Sequence, residues 1–146
     1  MQPVLEILDS LKIPRCVASN SSRSHVVNCL QLSQQFNYFS EPAIFTSQQV
    51  EKPKPAPDLF LFAAKEMGFE PENCIVVEDS PAGTQAAIAA GMNVLIFLGG
   101  SHACYDWYKN NFANYDRPIF SSCQELLEAI SQILKVEVPL KLSLQI

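Results

Sequence analysis

The fold of this chain of 146 residues is decided by Cys74–Gly91, which reads Cys-Ile-Val-Val-Glu-Asp-Ser-Pro-Ala-Gly-Thr-Gln-Ala-Ala-Ile-Ala-Ala-Gly. The stretch opens with an apolar run at 75–77 of the kind that fills a buried parallel strand. Ser80 and Pro81 then suit a helix N-cap and a first helical position, and an alanine-rich run follows. A buried strand that turns directly into a capped helix predicts one unit of a parallel α/β sheet.

Two adjacent carboxylates, Glu78 and Asp79, stand between that strand and that helix. In open parallel sheets, ligands bind at the carboxyl ends of the strands, which is where both residues are expected. A hard cation such as Mg²⁺ would offset the repulsion between the two acids, because it takes oxygen ligands and keeps several waters. The alternative is that Asp79 caps the helix and Glu78 faces solvent, since acidic residues are common near helix N-termini. The spacing alone leaves both interpretations open.

The composition is that of one folded globular domain, with 48% hydrophobic and 17% charged residues. A net charge of −5, without any run of Lys or Arg, argues against nucleic-acid binding. The apolar run from Val94 to Leu98 is far too short for a membrane span, and no secretory signal is evident. Five scattered cysteines fit reduced thiols, and no histidine is placed convincingly beside one to make it a nucleophile. We therefore expect a cytoplasmic protein with no membrane or nucleic-acid partner.

Apolar periodicity along the rest of the chain alternates between strands and helices. The predicted strands lie at 15–18, 44–50, 75–77, 93–98 and 118–122. This alternation predicts an α/β domain over 1–135, a Rossmann-like arrangement of three layers with a parallel sheet between helices. An aromatic segment at 101–114 is expected to pack against the sheet, with a ligand pocket as the alternative. The tail, 136–146, changes to apolar–polar alternation, which is typical of a half-buried strand.

A polar turn follows the first predicted strand at Ser19 and Asn20. Hydroxyl and backbone N–H groups at a strand-to-helix turn can bind an anion, because they point in one direction. The alternative is that Ser21 or Ser22 merely caps the next helix. This element alone favours the capping interpretation.

A lysine, Lys54, lies in a loop that three prolines hold stiff and extended. Such a loop sets the backbone of the lysine in advance, which suits an ammonium group that binds phosphate. The alternative is an ordinary solvated lysine on a connecting loop. Right-handed crossovers would bring Ser19, Lys54 and Asp79 to one edge of the sheet, and their convergence favours a phosphate and Mg²⁺ site.

Three segments of the chain resemble motifs of the haloacid-dehalogenase-like (HAD) hydrolase superfamily, in the branch of the β-phosphoglucomutase-like phosphatases. They are Val17-Ala18-Ser19-Asn20-Ser21, Lys54-Pro55-Ala56-Pro57-Asp58 and Val77-Glu78-Asp79-Ser80-Pro81-Ala82-Gly83, and the resemblance extends to about Leu134. It implies that Ser19 and Asn20 contact phosphate and that Lys54 is the catalytic lysine that binds the phosphoryl group. It also implies that Asp79 and Glu78 hold Mg²⁺.

The first motif of that superfamily, Asp-x-Asp-Gly-Thr, is absent from the sequence. Its leading Asp is the nucleophile that forms an aspartyl-phosphate, and its second Asp is the general acid and base. Asp9 and Asp58 cannot replace them, because the first falls inside a predicted helix and the second belongs to the lysine motif. The resemblance therefore implies an incomplete HAD core without its first strand and its cap domain. The missing strand would lie at the centre, between the strands that end at Ser19 and Asp79.

The function expected from this resemblance is Mg²⁺-dependent hydrolysis of a small phosphorylated metabolite, with a sugar phosphate as the class suggested by the branch. We expect little or no turnover by a truncated chain without the nucleophile. The alternatives are a non-catalytic module that binds phosphate and Mg²⁺, and a phosphomutase parent. The tail at 136–146 is expected to pack where structure is missing or to pair with another chain, and a homodimer could form through the exposed sheet edge. The polar alternate face of the tail argues against a central strand.

Overall fold

The computed structural model of the chain describes residues 1–39, 42–100, 103, 105–135 and 143–145. The helices are α1 (Gln2–Ser10), α2 (Arg23–Leu32), α3 (Asp58–Met67), α4 (Pro81–Ala89), α5 (Asp106–Lys109) and α6 (Cys123–Lys135). The strands are β1 (Arg15–Ser19), β2 (Ile44–Thr46), β3 (Cys74–Glu78), β4 (Asn93–Phe97), β5 (Ile119–Phe120) and β6 (Ser143–Gln145). Short 3-10 turns lie at Phe36–Tyr38, Ser47–Gln49, Pro71–Asn73 and Asn110–Phe112.

The six strands form one sheet in the order β2-β1-β6-β3-β4-β5, and every recorded pairing is parallel. This confirms the predicted α/β class, and no cap domain is present in the part of the chain that the structure describes. The predicted strand at 44–50 is too long. It ends at Thr46, because Thr46 and Gln49 form a capping box that turns the chain into a 3-10 helix.

Helices cover both faces of the sheet. The cluster on one face joins α3 and α4 to the sheet and contains, among others, Phe60, Ala63, Ala86, Cys16 and Val76. On the other face, α1 and α6 pack on β3 and β4 through Val4, Leu8, Ile75, Leu95 and Leu126. A third cluster joins α1 and α2 to β1 and includes Leu5, Val17 and Val26. None of the described helices is long and apolar enough to cross a membrane.

The aromatic segment divides between packing and exposure. Phe112 is fully buried in the cluster beneath α3 and α4, and Tyr108 packs against that cluster. Tyr105 and Trp107 are exposed and stack on each other with ring centroids 6.2 Å apart. The aromatic packing expected against the core is therefore made by Tyr108 and Phe112, and Ala103 from the first half of the segment is buried in the same cluster.

The tail supplies the central strand of the sheet. Residues 143–145 form β6, which lies parallel between β1 and β3. This agrees with the hypothesis that the tail packs where structure is missing, but the argument from its polar face against a central position was wrong. β6 pairs with a strand on each side, so its backbone N–H and C=O groups have partners within the sheet. Position 145 lies in register with Cys16 and Val76, which are buried. Positions 136–142 and 146 lie outside the described residues.

The same pairing bears on the expected dimer. The homodimer was expected because a lost central strand would leave two exposed strand edges. In the structure, β6 pairs with Arg15 and Cys16 on one side and with 74–76 on the other. The amino-terminal parts of those edges are therefore covered within the chain.

Candidate active site at the carboxyl edge of the sheet

A cavity of about 420 Å³ opens at the carboxyl ends of β1 and β3. It is lined by residues of all three sequence motifs, namely Ser19, Asn20, Lys54, Glu78 and Asp79. The structure thus brings the predicted site residues together, as the shared direction of the parallel strands requires. The apolar part of the lining comes from Val17, Ala18, Val26 and Leu30.

Lys54 is a buried lysine held by three groups. Its ammonium forms an ion pair with Glu78 and donates to the backbone oxygen of Ala18 at 2.9 Å, and it lies 4.4 Å from the ring centroid of Phe60. The side chains of Lys54 and Glu78 are each only 7% exposed. The interpretation as a solvated surface lysine is therefore wrong. Burying two charges is costly unless they are paired, which the Lys54–Glu78 contact achieves.

Asn20 fixes the loop that carries the lysine. Its side-chain amide donates to the backbone oxygen of Lys54 at 3.0 Å and accepts from the backbone nitrogen of Lys54 at 3.0 Å. Ser47 adds a hydrogen bond to the backbone oxygen of Asn20 at 2.8 Å. The side chain of Asn20 thus locks the polar turn after β1 to the proline-rich loop, which the sequence did not predict.

The serines of the turn after β1 have separate roles. Ser22 is the N-cap of α2 and accepts from the backbone nitrogen of His25. Ser19 accepts instead from the backbone nitrogen of Ser21 at 3.1 Å and lines the cavity. The capping interpretation therefore holds for Ser22, whereas Ser19 lies at the cavity, where its binding of an anion stays a prediction.

Glu78 is the most constrained group of the site. One carboxylate oxygen pairs with Lys54, and the other accepts from the backbone nitrogens of Asp79 and Ser80 and from the Ser80 hydroxyl at 2.9–3.2 Å. The alternative in which Glu78 faces solvent is wrong. A carboxylate has room for about four hydrogen bonds, so these contacts use the capacity of Glu78.

Gly83 is a residue of the site that the sequence analysis missed. A Cβ atom at this position would lie 2.0 Å from the Glu78 carboxyl carbon, so only glycine lets the first turn of α4 approach the carboxylate. Ser80 caps the same helix by accepting from the Gly83 nitrogen at 3.0 Å, as predicted. The available signal was a glycine in the first turn of a helix that otherwise consists of good helix formers.

Asp79 is the exposed acid of the pair. It lines the main cavity and also a second cavity of about 250 Å³, which Val77 and Phe97 border from β3 and β4. Its backbone oxygen accepts from the Tyr108 hydroxyl at 2.7 Å. Burial raises the pKa of Tyr108 above its ordinary value, and the negative charges of Asp79 and Glu78 raise it further.

Mg²⁺ is the metal that the sequence predicts for this site. The described residues contain no group of three or more His, Cys, Asp or Glu side chains that could hold a metal ion. Mg²⁺ is often bound by one or two carboxylates and keeps several waters, so an exposed aspartate beside a cavity fits it. Glu78 could ligate it only by exchanging one of its present partners.

The cavity also contains a cysteine–histidine pair. His25 and Cys29 lie one turn apart on α2, with the imidazole Nε2 3.5 Å from the Cys29 sulfur, and both line the cavity. The expectation that no histidine stands beside a cysteine was therefore wrong, because helical spacing brings the two side chains together. Both residues are exposed.

The positions of the remaining acids agree with the sequence analysis. Asp9 lies in α1 and pairs with Arg15, and Asp58 begins α3. Among the described residues that line the main cavity, the acids are Glu78 and Asp79. The central position between β1 and β3, where the resemblance places the nucleophile strand, belongs to β6.

The fold and the cavity define an α/β protein with a parallel sheet and a cavity, lined by charged residues, at the carboxyl ends of its strands. A family model described as haloacid dehalogenase-like hydrolase matches residues 1–91, which is more than half of the chain. The chain therefore belongs to the haloacid dehalogenase-like hydrolase family.

Individual relatives agree with this assignment. The chain is 35% identical over 96 residues to 6-phosphogluconate phosphatase of Escherichia coli (strain K12), a match that covers 66% of this chain and 43% of that protein. A HAD family hydrolase from Deinococcus radiodurans R1, with bound phosphate and sodium, superposes with a TM-score of 0.76 at 30% identity, covering 89% of this chain and 57% of the other. A putative β-phosphoglucomutase from Thermotoga maritima shares the fold, with a TM-score of 0.75, 20% identity and coverage of 90% and 58%. The chain thus spans less than two thirds of the length of these proteins.

Proposed function

We propose that the cavity between β1 and β3 is the phosphate and Mg²⁺ site of a HAD-type phosphatase that acts on a small phosphorylated metabolite. The observation that carries this proposal is the buried Lys54–Glu78 pair at the edge of a cavity that Ser19 and Asp79 also line. A buried ion pair costs desolvation free energy. Binding of a phosphoryl group by Lys54 would be a functional reason to keep the pair. The relative named 6-phosphogluconate phosphatase supports a sugar phosphate as the substrate class.

The residues of the cavity would have different roles, which follow from their charges. Ser19 and Asn20 would contact the phosphate, and Lys54 would neutralise its charge. Asp79 would be the direct ligand of Mg²⁺, supported by its exposure at the cavity. Glu78 would either exchange one hydrogen bond for the metal or hold Lys54 in place. A bound Mg²⁺ would supply charge neutralisation at the phosphate, which is the larger part of catalysis in phosphoryl transfer.

We expect little or no turnover by the chain as it stands. Covalent hydrolysis would need a carboxylate to attack phosphorus, an acid to protonate the departing alkoxide and water to release the phosphate. The described acids at the cavity, Glu78 and Asp79, are assigned here to the lysine and the metal. The place of the nucleophile strand is taken by β6.

The test is binding of inorganic phosphate by calorimetry, with Mg²⁺ and with EDTA, beside hydrolysis of an aryl phosphate. We expect phosphate binding that needs Mg²⁺ and falls at least about tenfold in Asp79→Asn, since a ligand carboxylate is lost. Asp106→Asn, which removes an exposed acid on α5, is the matched control and should bind like the parent. Absence of binding in the parent chain would overturn the proposal.

The second candidate is a regulatory module that binds phosphate and Mg²⁺ without catalysis, and the presence of β6 in the central position favours it. The regulatory module would be identified by phosphate binding without hydrolysis in two proteins: the present chain and a chain with an Asp-x-Asp-Gly-Thr segment joined upstream. Hydrolysis gained with that segment would identify a phosphatase, and transfer to a second hydroxyl of a sugar phosphate would identify a phosphomutase parent. Mg²⁺-dependent hydrolysis by the present chain, lost in Asp79→Asn, would contradict the expected inactivity.

A further inference from the structure

A cysteine and a histidine of α2 meet at the wall of the main cavity. The Cys29 sulfur lies 3.5 Å from Nε2 of His25, and both residues line the cavity of about 420 Å³. Residues four apart on a helix are neighbours, and the Cα–Cβ bond of the later residue leans toward the earlier one. Both residues are exposed, so molecules that enter the cavity can reach them. A thiol and a base within hydrogen-bond distance are the two parts of an activated nucleophile.

The packing of α2 fixes the direction in which this pair points. Val26 and Leu30 are 6% and 9% exposed and belong to the cluster that joins α2 to β1. Each follows a member of the pair directly in the chain, so the buried residues and the pair form adjacent stripes on the helix. Ser22 caps the first turn by accepting from the backbone nitrogen of His25. A helix anchored in the core and capped at its N-terminus therefore holds the pair at the cavity.

The proposed phosphatase chemistry leaves the pair without a role, although it uses the same cavity. Ser19, Lys54 and Asp79, to which phosphate and Mg²⁺ are assigned above, are also part of its lining. A cavity of this volume can hold a small organic group. A covalent group carried by Cys29 would therefore share the space that the phosphate would occupy.

The other described cysteines are less suited to reaction. Cys16 and Cys74 are buried, and Cys123 is half-buried with its sulfur 2.9 Å from the amino group of Met1. Burial raises the pKa of the Cys74 thiol to about 11, and the negative charges of two nearby glutamates contribute. Because the thiolate is the nucleophile, such a thiol reacts slowly near neutral pH. Of the cysteines that the structure describes, Cys29 is the exposed one.

We propose that Cys29 is a site of thiol–disulfide exchange, with His25 as its general base, and that the group it acquires fills the cavity. The co-reactant is a disulfide of low molecular weight. In the tautomer with its proton on Nδ1, His25 takes the thiol proton at Nε2 while the Cys29 sulfur attacks one sulfur of the disulfide. The S–S bond of the disulfide breaks, and one half stays on Cys29 as a mixed disulfide. The other half leaves as a thiol with the proton from His25, so Cys29 is oxidised and the disulfide is reduced.

The first part of the test measures the rate of exchange in the full chain. Bis(hydroxyethyl) disulfide is added near neutral pH, without phosphate or Mg²⁺, and peptide mapping by mass spectrometry follows each cysteine separately. The matched control carries Cys29→Ser with Gln31→Cys, which puts a thiol at another exposed position of α2, one turn after Val27 and Asn28. An ordinary thiol is only a few per cent thiolate at this pH, so Cys29 should react at least about tenfold faster than the control thiol.

The second part tests the role of His25. His25→Ala should lower the rate at Cys29 by about tenfold, to that of the control thiol, because the base is removed. Free imidazole can enter the vacated space and should restore part of the rate in His25→Ala. It should leave the rate of the control thiol unchanged. A purely structural role of His25 would not produce this rescue.

The third part locates the acquired group. A bimane fluorophore is attached by disulfide exchange to Cys29 in the parent chain and to the thiol of the control variant. Acrylamide should quench the bimane on Cys29 at least about twofold less, since the cavity walls shield it. Reduction should release both groups and restore the free thiols.

The outcomes separate this inference from the proposed function. Equal rates at Cys29 and the control thiol, an unchanged rate in His25→Ala, or a lost rate that imidazole does not restore would each overturn the exchange site. Equal quenching of the two bimane groups would overturn the location of the acquired group in the cavity. Because no phosphate or Mg²⁺ is present, each of these results leaves the proposed phosphate site to its own binding experiment.

Discussion

The corner formed by Lys54 and Glu78 and the central strand β6 are neighbours in the sheet, but different interactions hold them in place. At the corner, each buried charged group has its partners, and even a single Cβ atom at Gly83 would not fit. The strand β6, by contrast, is held by parallel backbone pairing with β1 on one side and with β3 on the other. The comparison shows that contacts between side chains fix the charged edge of the site, whereas backbone pairing places the strand at the centre of the sheet.

The strongest way to break the ordered corner is Glu78→Ala. It leaves the buried Lys54 ammonium without its carboxylate, and we expect the free energy of unfolding to fall by about 3–5 kcal/mol. Denaturant unfolding measures this change, with Glu66→Ala, an exposed acid on α3, as the control that should have little effect. The double variant Lys54→Met with Glu78→Ala should recover part of the loss, and simple additivity of the two losses would contradict a coupled pair.

A smaller disturbance of the same corner is Gly83→Ala. The added methyl would collide with the Glu78 carboxyl group, so we expect a loss of about 1–3 kcal/mol in the free energy of unfolding from overpacking. The exposed Gln85→Ala on the same helix is the control and should be neutral or slightly stabilising. A gain in stability in Gly83→Ala would mean that the carboxylate and the helix do not approach as closely as described.

The central strand should respond to a change in its backbone. Leu144→Pro removes a backbone N–H from a strand that is paired on both sides, and we expect the free energy of unfolding to fall by about 1–3 kcal/mol. Leu144→Ala keeps the backbone N–H and is the control. An equal loss in both variants would contradict backbone pairing as the cause.

The smallest expected effect concerns the hydrogen bond from Tyr108, in the aromatic segment, to the backbone of Asp79. Tyr108→Phe removes the hydrogen bond to the Asp79 backbone oxygen, so we expect a loss of about 0.5–1.5 kcal/mol near neutral pH. Because the pKa of Tyr108 is raised in the folded protein, its contribution is fully present below the ordinary pKa of tyrosine. It is lost as pH rises through the folded value.

Unfolding measured across the alkaline range checks this prediction. The parent chain should lose stability more steeply than Tyr108→Phe as the pH rises, and the two should converge. Tyr105→Phe removes the hydroxyl of an exposed tyrosine and is the control. Parallel pH profiles for the parent and Tyr108→Phe would contradict the assigned cause.

Much of the fold could be predicted because its signals are local. The apolar run before Glu78, the Ser80 cap and the proline-rich loop around Lys54 each specify a short element without reference to the rest of the chain. The direction of parallel strands then brings Ser19, Lys54 and Asp79 together. The sequence did not predict the Asn20 lock on the lysine loop, the need for Gly83 or the meeting of His25 with Cys29, because each depends on distances between side chains.

By itself, the sequence determined the α/β class and the position of the charged edge, since apolar periodicity and the spacing of polar residues carry that information. The family was indicated by the resemblance of three of its motifs. Only the tertiary structure decided what fills the centre of the sheet. Alternation in the tail predicted a half-buried strand, yet β6 lies between β1 and β3. The physical reason is that backbone hydrogen bonding does not depend on side-chain identity, so two facing strand edges can hold a segment whose side chains suit another place.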